Sequence, residues 1–292
     1  MDLNRLHHHL STYPAAVAPS LRGVRPQLQI HYFDILASTN QTLWQMVKAG
    51  AKAGTVVVAG QQTAGRGQRG RSWVSASGGI YASMLLMPDW ESAIAPQLTF
   101  TSAWGIATLL NQWHVPVEIK WPNDLVLRAG STSPQLLKLG GILTETRIEA
   151  GRITQALVGV GINHRNPVPD TAVRLGALLD EGPEAPTAPL QSLEFALATV
   201  LVGIWQGLCW HQQVGATAFL NRYSALLAHQ GQTVKIGDRT GRVLGVTATG
   251  GLQIALSNAA THPSGQTVPD VIQVSPEEVS LSYNVAALNQ PV

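Results

Sequence analysis

The chain has 292 residues, 45% of them hydrophobic, a length that suits one large domain or two smaller ones. Only 12% of the residues are charged and the formal net charge is +2, which excludes a highly charged disordered protein and disfavours a dedicated nucleic-acid binder. The single cysteine, Cys209, excludes an intrachain disulfide and a cysteine-based zinc site. A reducing compartment suits this composition, and we expect a cytoplasmic protein.

Three prolines punctuate residues 1–27, which predicts an irregular N-terminal segment. Beyond it, alternating or β-branched runs predict strands, and apolar residues at helical spacing predict helices. In chain order the elements are a strand at 28–33, a helix begun by the capping residues 38–40, strands at 55–59 and 80–87, a helix at 96–113, strands at 117–120 and 125–127, a flexible hairpin loop at 128–137, a strand pair at 141–148 and 153–159, a short helix at 173–179, and helices at 190–213 and 216–227.

The pattern changes after residue 231. Short strands separated by glycine and polar turns are predicted at 233–236, 241–246, 252–256 and 271–274. They predict a small antiparallel β module, and we place a boundary near His229, between domains at 28–228 and 229–292.

One apolar segment requires a membrane test. Residues 195–210 carry no charge and contain the small-xxx-small spacing of Gly203 and Gly207, which membrane helices use for packing. The strongly apolar part is shorter than the roughly 20 residues that span a bilayer, and no basic residues flank it. We therefore expect a buried core helix and no membrane association.

The most unusual local stretch is the loop at residues 65–73. It reads Gly-Arg-Gly-Gln-Arg-Gly-Arg-Ser-Trp, and no acidic residue occurs from 60 to 88. Glycines let backbone N–H groups approach a ligand, and arginines donate in pairs to phosphate or carboxylate oxygens. The loop is therefore a candidate anion-binding loop, with a solvated basic turn or an RNA contact as the alternatives.

Two phosphate-binding motifs are excluded or disfavoured. Glycines 65, 67 and 70 match G-x-G-x-x-G by letter, but residues 71–79 run into a strand instead of opening a helix that could bind a pyrophosphate. No Gly-Lys-Ser/Thr sequence occurs, so the chain has no Walker A loop.

Three further segments are weak signals alone. They are Lys-Trp-Pro-Asn-Asp at 120–124, Lys-Leu-Gly-Gly-Ile-Leu-Thr-Glu at 138–145 and Gly-Val-Gly-Ile-Asn at 159–163. A hairpin turn with Asx hydrogen bonds, an edge lysine and a strand end are their ordinary structural explanations.

Together and in this order, these motifs resemble the biotin protein ligases, a family that attaches biotin to a lysine of a carrier protein. The resemblance runs from about residue 28 to residue 163, and the C-terminal β module matches the small SH3-like domain of that family in position and size. It implies an α+β fold with a mixed or antiparallel sheet flanked by helices, of the class II synthetase-like type, followed by an SH3-like barrel.

The resemblance also implies the chemistry. Such ligases join the biotin carboxylate to the α-phosphorus of ATP and then transfer biotin to a lysine of a biotin carboxyl carrier protein, such as that of acetyl-CoA carboxylase. Arg66 and Lys138 match the family's catalytic cations, which neutralise the approach of one anion to another. Mg²⁺ is expected to accompany ATP near Asp124, without a protein cage.

The implied binding residues fall into two sets. The expected biotin-binding residues are Ser38, Thr39, Asn40, Gln62, Gly65, Arg66, Gly67, Lys138 and Gly141. The expected ATP- or adenylate-binding residues are Arg66, Gly67, Gln68, Arg69, Trp73, Asn123, Asp124, Lys138 and Asn163.

The sequence departs from the family at Gln68, where members usually carry a second loop arginine. That arginine helps retain the adenylate, so Gln68 predicts weaker retention unless Arg69 or Arg71 compensates. Only about 27 residues precede the first strand, so we expect the form of the enzyme without an N-terminal DNA-binding domain and without nucleic acid as a partner.

Three other readings stay open. A lipoate or octanoate ligase of the same fold would use a similar site, and a non-catalytic protein could retain biotin or its adenylate. An RNA-binding protein is disfavoured by the small net charge. The sequence leaves monomer and homodimer equally open.

Overall fold

The computed structural model describes residues 1–130, 135–179, 187–257 and 270–284. The strands are β1 (Gln29–Leu36), β2 (Thr55–Gln62), β3 (Ile80–Leu86), β4 (Trp90–Glu91), β5 (Glu118–Lys120), β6 (Asp124–Ala129), β7 (Gln135–Glu149), β8 (Arg152–Ile162), β9 (Thr233–Ile236), β10 (Arg239–Val246), β11 (Leu252–Leu256) and β12 (Val271–Val274). The helices are α1 (Leu3–Thr12), α2 (Thr39–Lys48), α3 (Pro96–Gln112), α4 (Leu193–Val214) and α5 (Ala216–Ala225).

The first eight strands form one mixed sheet. Its order is β1-β2-β3-β8-β7-β6-β5, and β4 pairs with β8 beside β3. Strands β1 and β2 run parallel because helix α2 crosses over between them, whereas the other described pairs are antiparallel. The predicted α+β class, with a mixed sheet flanked by helices, is confirmed.

Two connections differ from the sequence prediction. Strand β6 continues to Ala129 and β7 begins at Gln135, so strands occupy both ends of the loop predicted at 128–137, while residues 131–134 lie outside the described part. The short helix predicted at 173–179 is a single 3-10 turn at Leu175–Ala177.

Helices α3 and α4 pack closely because glycines line their crossing. A Cβ on Gly105 would lie 2.0 Å from the Gly203 carbonyl oxygen, and one on Gly207 would lie 2.2 Å from the Thr101 carbonyl oxygen. The small-xxx-small spacing therefore serves helix packing in the core. By length and composition α4 could cross a membrane, but 72% of its apolar window is buried inside the protein, as predicted for a core helix.

The prediction of an irregular segment at residues 1–27 was wrong for helix α1. The Asp2 carboxylate accepts hydrogen bonds from the backbone N–H groups of Asn4 and Arg5, which caps the helix N-terminus. Leu6 and Leu10 lie one turn apart on the buried face, which packs against α4. The prolines all follow this helix, so they do not interrupt it.

The C-terminal module is a four-stranded antiparallel sheet in the order β12-β11-β10-β9, which is compatible with an SH3-like domain. It packs closely on the larger domain, since the Trp121 indole donates to the Gly250 carbonyl oxygen at 3.1 Å. After β12 the chain returns to the large sheet, where Leu136 N–H donates to the Tyr283 carbonyl oxygen at 2.7 Å. This return brings the end of the described chain to the candidate site.

Candidate active site

The motifs separated along the sequence converge on one pocket. It lies beside the start of α2, over the central strands β7 and β8, and under the loop that follows β2. Thirteen predicted site residues line it, namely Ser38, Thr39, Asn40, Gln62, Arg66, Gly67, Gln68, Arg69, Trp73, Asn123, Asp124, Lys138 and Gly141. Gly65 and Asn163 were predicted as site residues but are not in this lining.

One end of the pocket is a buried polar cluster. Ser83 Oγ lies 2.7 Å from Thr39 Oγ1 and 2.6 Å from Asn40 Oδ1, and all three residues are buried. A Cβ on Gly159 would lie 2.4 Å from Asn40 Oδ1, so the glycine makes room for the amide. The arrangement fixes donors and acceptors for a polar ligand group at this end.

Gln62 supports this cluster from the end of β2. Its Oε1 accepts a 2.8 Å hydrogen bond from the Thr39 backbone N–H, at the first residue of α2. Its Nε2 donates to Ser75 Oγ at 2.8 Å. Gln62 therefore ties the helix N-terminus to the loop that covers the pocket, and its second Nε2 hydrogen remains available for a ligand.

The glycine- and arginine-rich loop closes on itself by backbone hydrogen bonds. Trp73 N–H donates to the Gly65 carbonyl oxygen at 2.9 Å, and Gly67 N–H donates to the Arg71 carbonyl oxygen at 2.7 Å. A Cβ on Gly65 would lie 2.4 Å from the Trp73 carbonyl oxygen, so only glycine fits there. Gly65 therefore shapes the loop from outside the pocket lining.

Trp73 lies against the floor of the pocket. A Cβ on Gly161 would lie 2.5 Å from its Nε1, so this strand glycine is needed for the indole to pack. The buried Nε1 has no hydrogen-bond partner among the described residues, and Lys138 Nζ lies 5.3 Å from the ring centre. The indole thus lines the pocket, while its Nε1 is buried without a described partner.

Arg66 is held at the rim by an acidic partner. Its Nη1 lies 3.0 Å from Glu145 Oε1, and Glu145 Oε2 accepts a 2.7 Å hydrogen bond from the Trp44 indole. The Arg66 side chain is 57% exposed, so the ion pair is solvated and contributes little stability. The ion pair with Glu145 instead fixes the orientation of the Arg66 guanidinium.

Two lysines flank one buried carboxylate. Lys138 Nζ lies 2.6 Å from Asp124 Oδ1, and Lys120 Nζ lies 3.9 Å from Asp124 Oδ2. The Tyr283 hydroxyl donates to the same Oδ2 at 2.5 Å. Burial, followed by the Asp124 charge, raises the pKa of Tyr283 and keeps its hydroxyl a donor.

The pocket is electropositive. Among the lining residues Asp124 is the one acid, against the five cations Arg66, Arg69, Arg71, Lys120 and Lys138. Burial lowers the pKa of Lys120, an effect that Asp124 opposes. The charges of Lys138, Arg71 and Arg69 lower the pKa of Lys120 further. Such a pocket favours a polyanionic ligand.

Asn123 and Asn163 hold backbone in place. Asn123 Nδ2 donates to the Ile142 carbonyl oxygen at 2.9 Å, which anchors the turn before β6 to β7. Asn163 donates to the Lys138 carbonyl oxygen at 3.3 Å, and its Oδ1 accepts from Asn166 Nδ2 at 3.0 Å. Asn163 therefore supports the chain beneath Lys138, and its amide is occupied.

The described residues contain no group of three or more His, Cys, Asp or Glu side chains that could hold a metal ion. Both oxygens of Asp124 already have protein partners. The donor set therefore does not fit a metal held by the protein alone in this conformation.

Sequence reasoning missed several lining residues. Lys120 lies in a motif that the sequence identified, but it was not assigned a role. Gly159 and Gly161 likewise lie in a recognised strand end. Three residues of the C-terminal module, Pro276, Val279 and Ser280, also line the pocket, and no local motif indicated them.

Comparison with known proteins identifies a family for the segment that carries most of these motifs. Residues 32–163 match the Biotin/lipoate A/B protein ligase family. The resemblance inferred from the motifs is thus confirmed.

Individual relatives point the same way. Over 134 residues, 45% of this chain, it is 37% identical to the bifunctional ligase/repressor BirA of Bacillus subtilis, of which it covers 39%. Over 148 residues, 49% of this chain, it is 33% identical to the biotin–[acetyl-CoA-carboxylase] ligase of Paracoccus denitrificans, of which it covers 59%.

A solved structure extends the likeness to the whole fold. The biotin protein ligase from Aquifex aeolicus in complex with biotin and ATP matches with a TM-score of 0.64, covering 86% of this chain and 97% of that protein, at 24% identity.

Proposed function

We propose that this chain is an ATP-dependent biotin–protein ligase. A biotin carboxylate oxygen bonds to the α-phosphorus of ATP as the bond to pyrophosphate breaks, giving biotinyl-adenylate. The ε-amine of a carrier lysine then bonds to the acyl carbon, AMP leaves, and the amine loses a proton. One observation carries the proposal: residues of four separate sequence motifs, including Arg66 and Lys138, line a single electropositive pocket.

The cations of the pocket can offset the charge repulsion of the first step. A carboxylate and a triphosphate repel each other, and fixed positive groups offset this repulsion most strongly in the transition state. Lys138 reaches into the pocket and is oriented by Asp124, 2.6 Å away. Arg66 lies on the opposite, loop side, where Glu145 directs it. These two residues are the proposed catalytic cations.

The two ends of the pocket suit the two substrates. Thr39 and Asn40, which Ser83 contacts from within the core, supply donors and acceptors of the kind that a ureido group requires. The Trp73 face and the cations suit an adenine base and its phosphates. We place biotin at the first end and MgATP, with Mg²⁺ carried on its phosphates, at the second.

The protein substrate is proposed to be a biotin carboxyl carrier domain of the acetyl-CoA carboxylase type. The chain spans only part of its curated relatives, 39% of the Bacillus and 59% of the Paracoccus protein. The Paracoccus relative's name includes that carboxylase.

Pyrophosphate exchange tests the first step. We expect purified protein to exchange labelled pyrophosphate into ATP when biotin is present, and not with lipoate or octanoate. Lys138→Ala should abolish most of this exchange, whereas Lys52→Ala, which removes an exposed lysine distant from the pocket, should leave it unchanged.

The other outcomes are informative. Exchange with lipoate or octanoate in place of biotin would indicate the related ligase activity. Biotin binding without exchange by any acid would indicate a protein that sequesters biotin. Transfer of biotin to a purified carrier domain, followed by mass spectrometry, tests the second step.

A further inference from the structure

The described part of the segment after β12 reaches the pocket, where Tyr283 contacts the charged centre of the site. Its carbonyl oxygen accepts a hydrogen bond from Leu136 N–H at 2.7 Å, and the neighbouring Ser282 carbonyl oxygen accepts one from His229 Nε2 at 3.0 Å. Two backbone anchors therefore fix the segment. The Tyr283 side chain is thus presented to the site with little freedom.

The Tyr283 side chain makes two different contacts there. Its hydroxyl donates to Asp124 Oδ2 at 2.5 Å, and its ring lies under the Lys120 ammonium, 4.4 Å from Nζ to the ring centre. Asp124 Oδ1 is left to Lys138 at 2.6 Å, whereas Lys120 stays 3.9 Å from Oδ2.

Lys138 and Lys120 compete for the Asp124 carboxylate, and Lys138 makes the closer contact. A buried carboxylate attracts both ammonium groups, and a close ion pair with either would draw it toward that lysine. The Tyr283 hydroxyl occupies the oxygen nearer Lys120, and the aromatic ring gives Lys120 a separate partner. Asp124 is thereby reserved for Lys138.

We propose that Tyr283 is a positioning residue that sets the Asp124–Lys138 pair for biotin activation from the C-terminal segment. The inference rests on the proposed function, since it concerns the same reaction. Tyr283 acts through Asp124 and does not itself react. Without the hydroxyl, Oδ2 can pair with Lys120, and Lys138 loses its fixed orientation.

Tyr283→Phe tests the proposal because it keeps the ring and removes the hydroxyl. We expect kcat for pyrophosphate exchange to fall about 10-fold, the effect typical of losing a hydrogen bond to a charged group, with the KM for biotin within about twofold. Tyr13→Phe is the matched control, because that buried hydroxyl contacts Thr199 and Trp113, outside the pocket. It should leave exchange unchanged.

The double variant separates positioning from a purely structural role. In an Asp124→Asn background, adding Tyr283→Phe should have little further effect on kcat, because the hydroxyl acts through that carboxylate. An unchanged kcat in Tyr283→Phe would overturn the proposal. So would a full additional loss of kcat in the Asp124→Asn background.

A readout independent of activity distinguishes this inference from the proposed function. If the wild-type protein exchanges no pyrophosphate with any acid, the proposed function fails. Urea unfolding then decides the positioning. The urea midpoint is compared among Tyr283→Phe, Asp124→Asn and the double variant. A shift in the double variant that is smaller than the sum of the two single-variant shifts supports the coupling, and an additive shift overturns it.

Discussion

His229 should make the protein acid-sensitive at the junction with the C-terminal module. It is 4% exposed, its Nε2 donates to the Ser282 carbonyl oxygen at 3.0 Å, and its Nδ1 has no described partner. Burial lowers the pKa of the imidazole from 6.5 to about 4, an effect that the hydrogen bond opposes and the charges of Lys120 and Arg128 reinforce.

The direction in which stability changes with pH follows from proton linkage. Because the folded-state pKa lies below the unfolded-state value, the unfolded chain binds more protons between pH 6.5 and about pH 4. The neutral imidazole therefore contributes its full stability above pH 6.5 and loses it as the pH falls toward 4. The total corresponds to about 3 kcal/mol, of which about 2 kcal/mol is lost by pH 5.

The test compares the wild type with His229→Gln, which retains an N–H donor for the Ser282 carbonyl. The free energy of unfolding, measured in urea at pH 7.5 and pH 5, should fall about 2 kcal/mol more in the wild type than in the variant. Burial also lowers the pKa of His164 and His211, but both proteins retain these groups, so their contribution cancels. Parallel pH profiles would refute the reasoning.

Three substitutions at the pocket have separate expected outcomes. Gly161→Ala places a methyl group on the Trp73 indole, so kcat/KM for ATP should fall at least about 10-fold in the exchange assay, and an unchanged value would contradict the packing. Glu145→Gln frees Arg66, so it should raise the KM for biotin while the free energy of unfolding in urea changes by less than about 1 kcal/mol; an unchanged KM would show that the ion pair does not direct Arg66. Gln68→Arg adds a cation at the pocket and should slow release of the adenylate, measured by stopped flow, whereas an unchanged or faster release would discount the charge argument.

Most of the sheet was predictable because its strands carry local signals. The β-branched run of β2 and the glycine-flanked β8 were recognised to within three residues at each end, whereas β7 begins six residues before its predicted start. Helix α1 was missed because three prolines dominated the reading of residues 1–27, although Asp2 followed by leucines one turn apart is a helix signal. The local signal was present and was outweighed by composition.

The candidate site was predictable where its residues lie in compact motifs and not where they meet through the fold. Ser83 sits in the middle of a buried strand, where its sequence context indicates only β structure. It reaches Asn40 because β3 passes beneath the start of α2. Asn163 lies outside the pocket lining and supports the backbone of Lys138, so its expected contact with the nucleotide stays a prediction.

The domain boundary near His229 does not separate the site from the C-terminal module. Tyr283 and Asp124 are 159 positions apart, and contacts at that separation depend on how the chain returns after β12. The same return is anchored by His229 through Ser282. Protonation of His229 keeps the hydrogen bond to Ser282 but places a charge in a buried position near Lys120 and Arg128, which destabilises this junction. His229→Gln should therefore retain exchange activity to a lower pH than the wild type. If the wild type loses exchange and stability at different pH values, the anchor and the charged centre act independently.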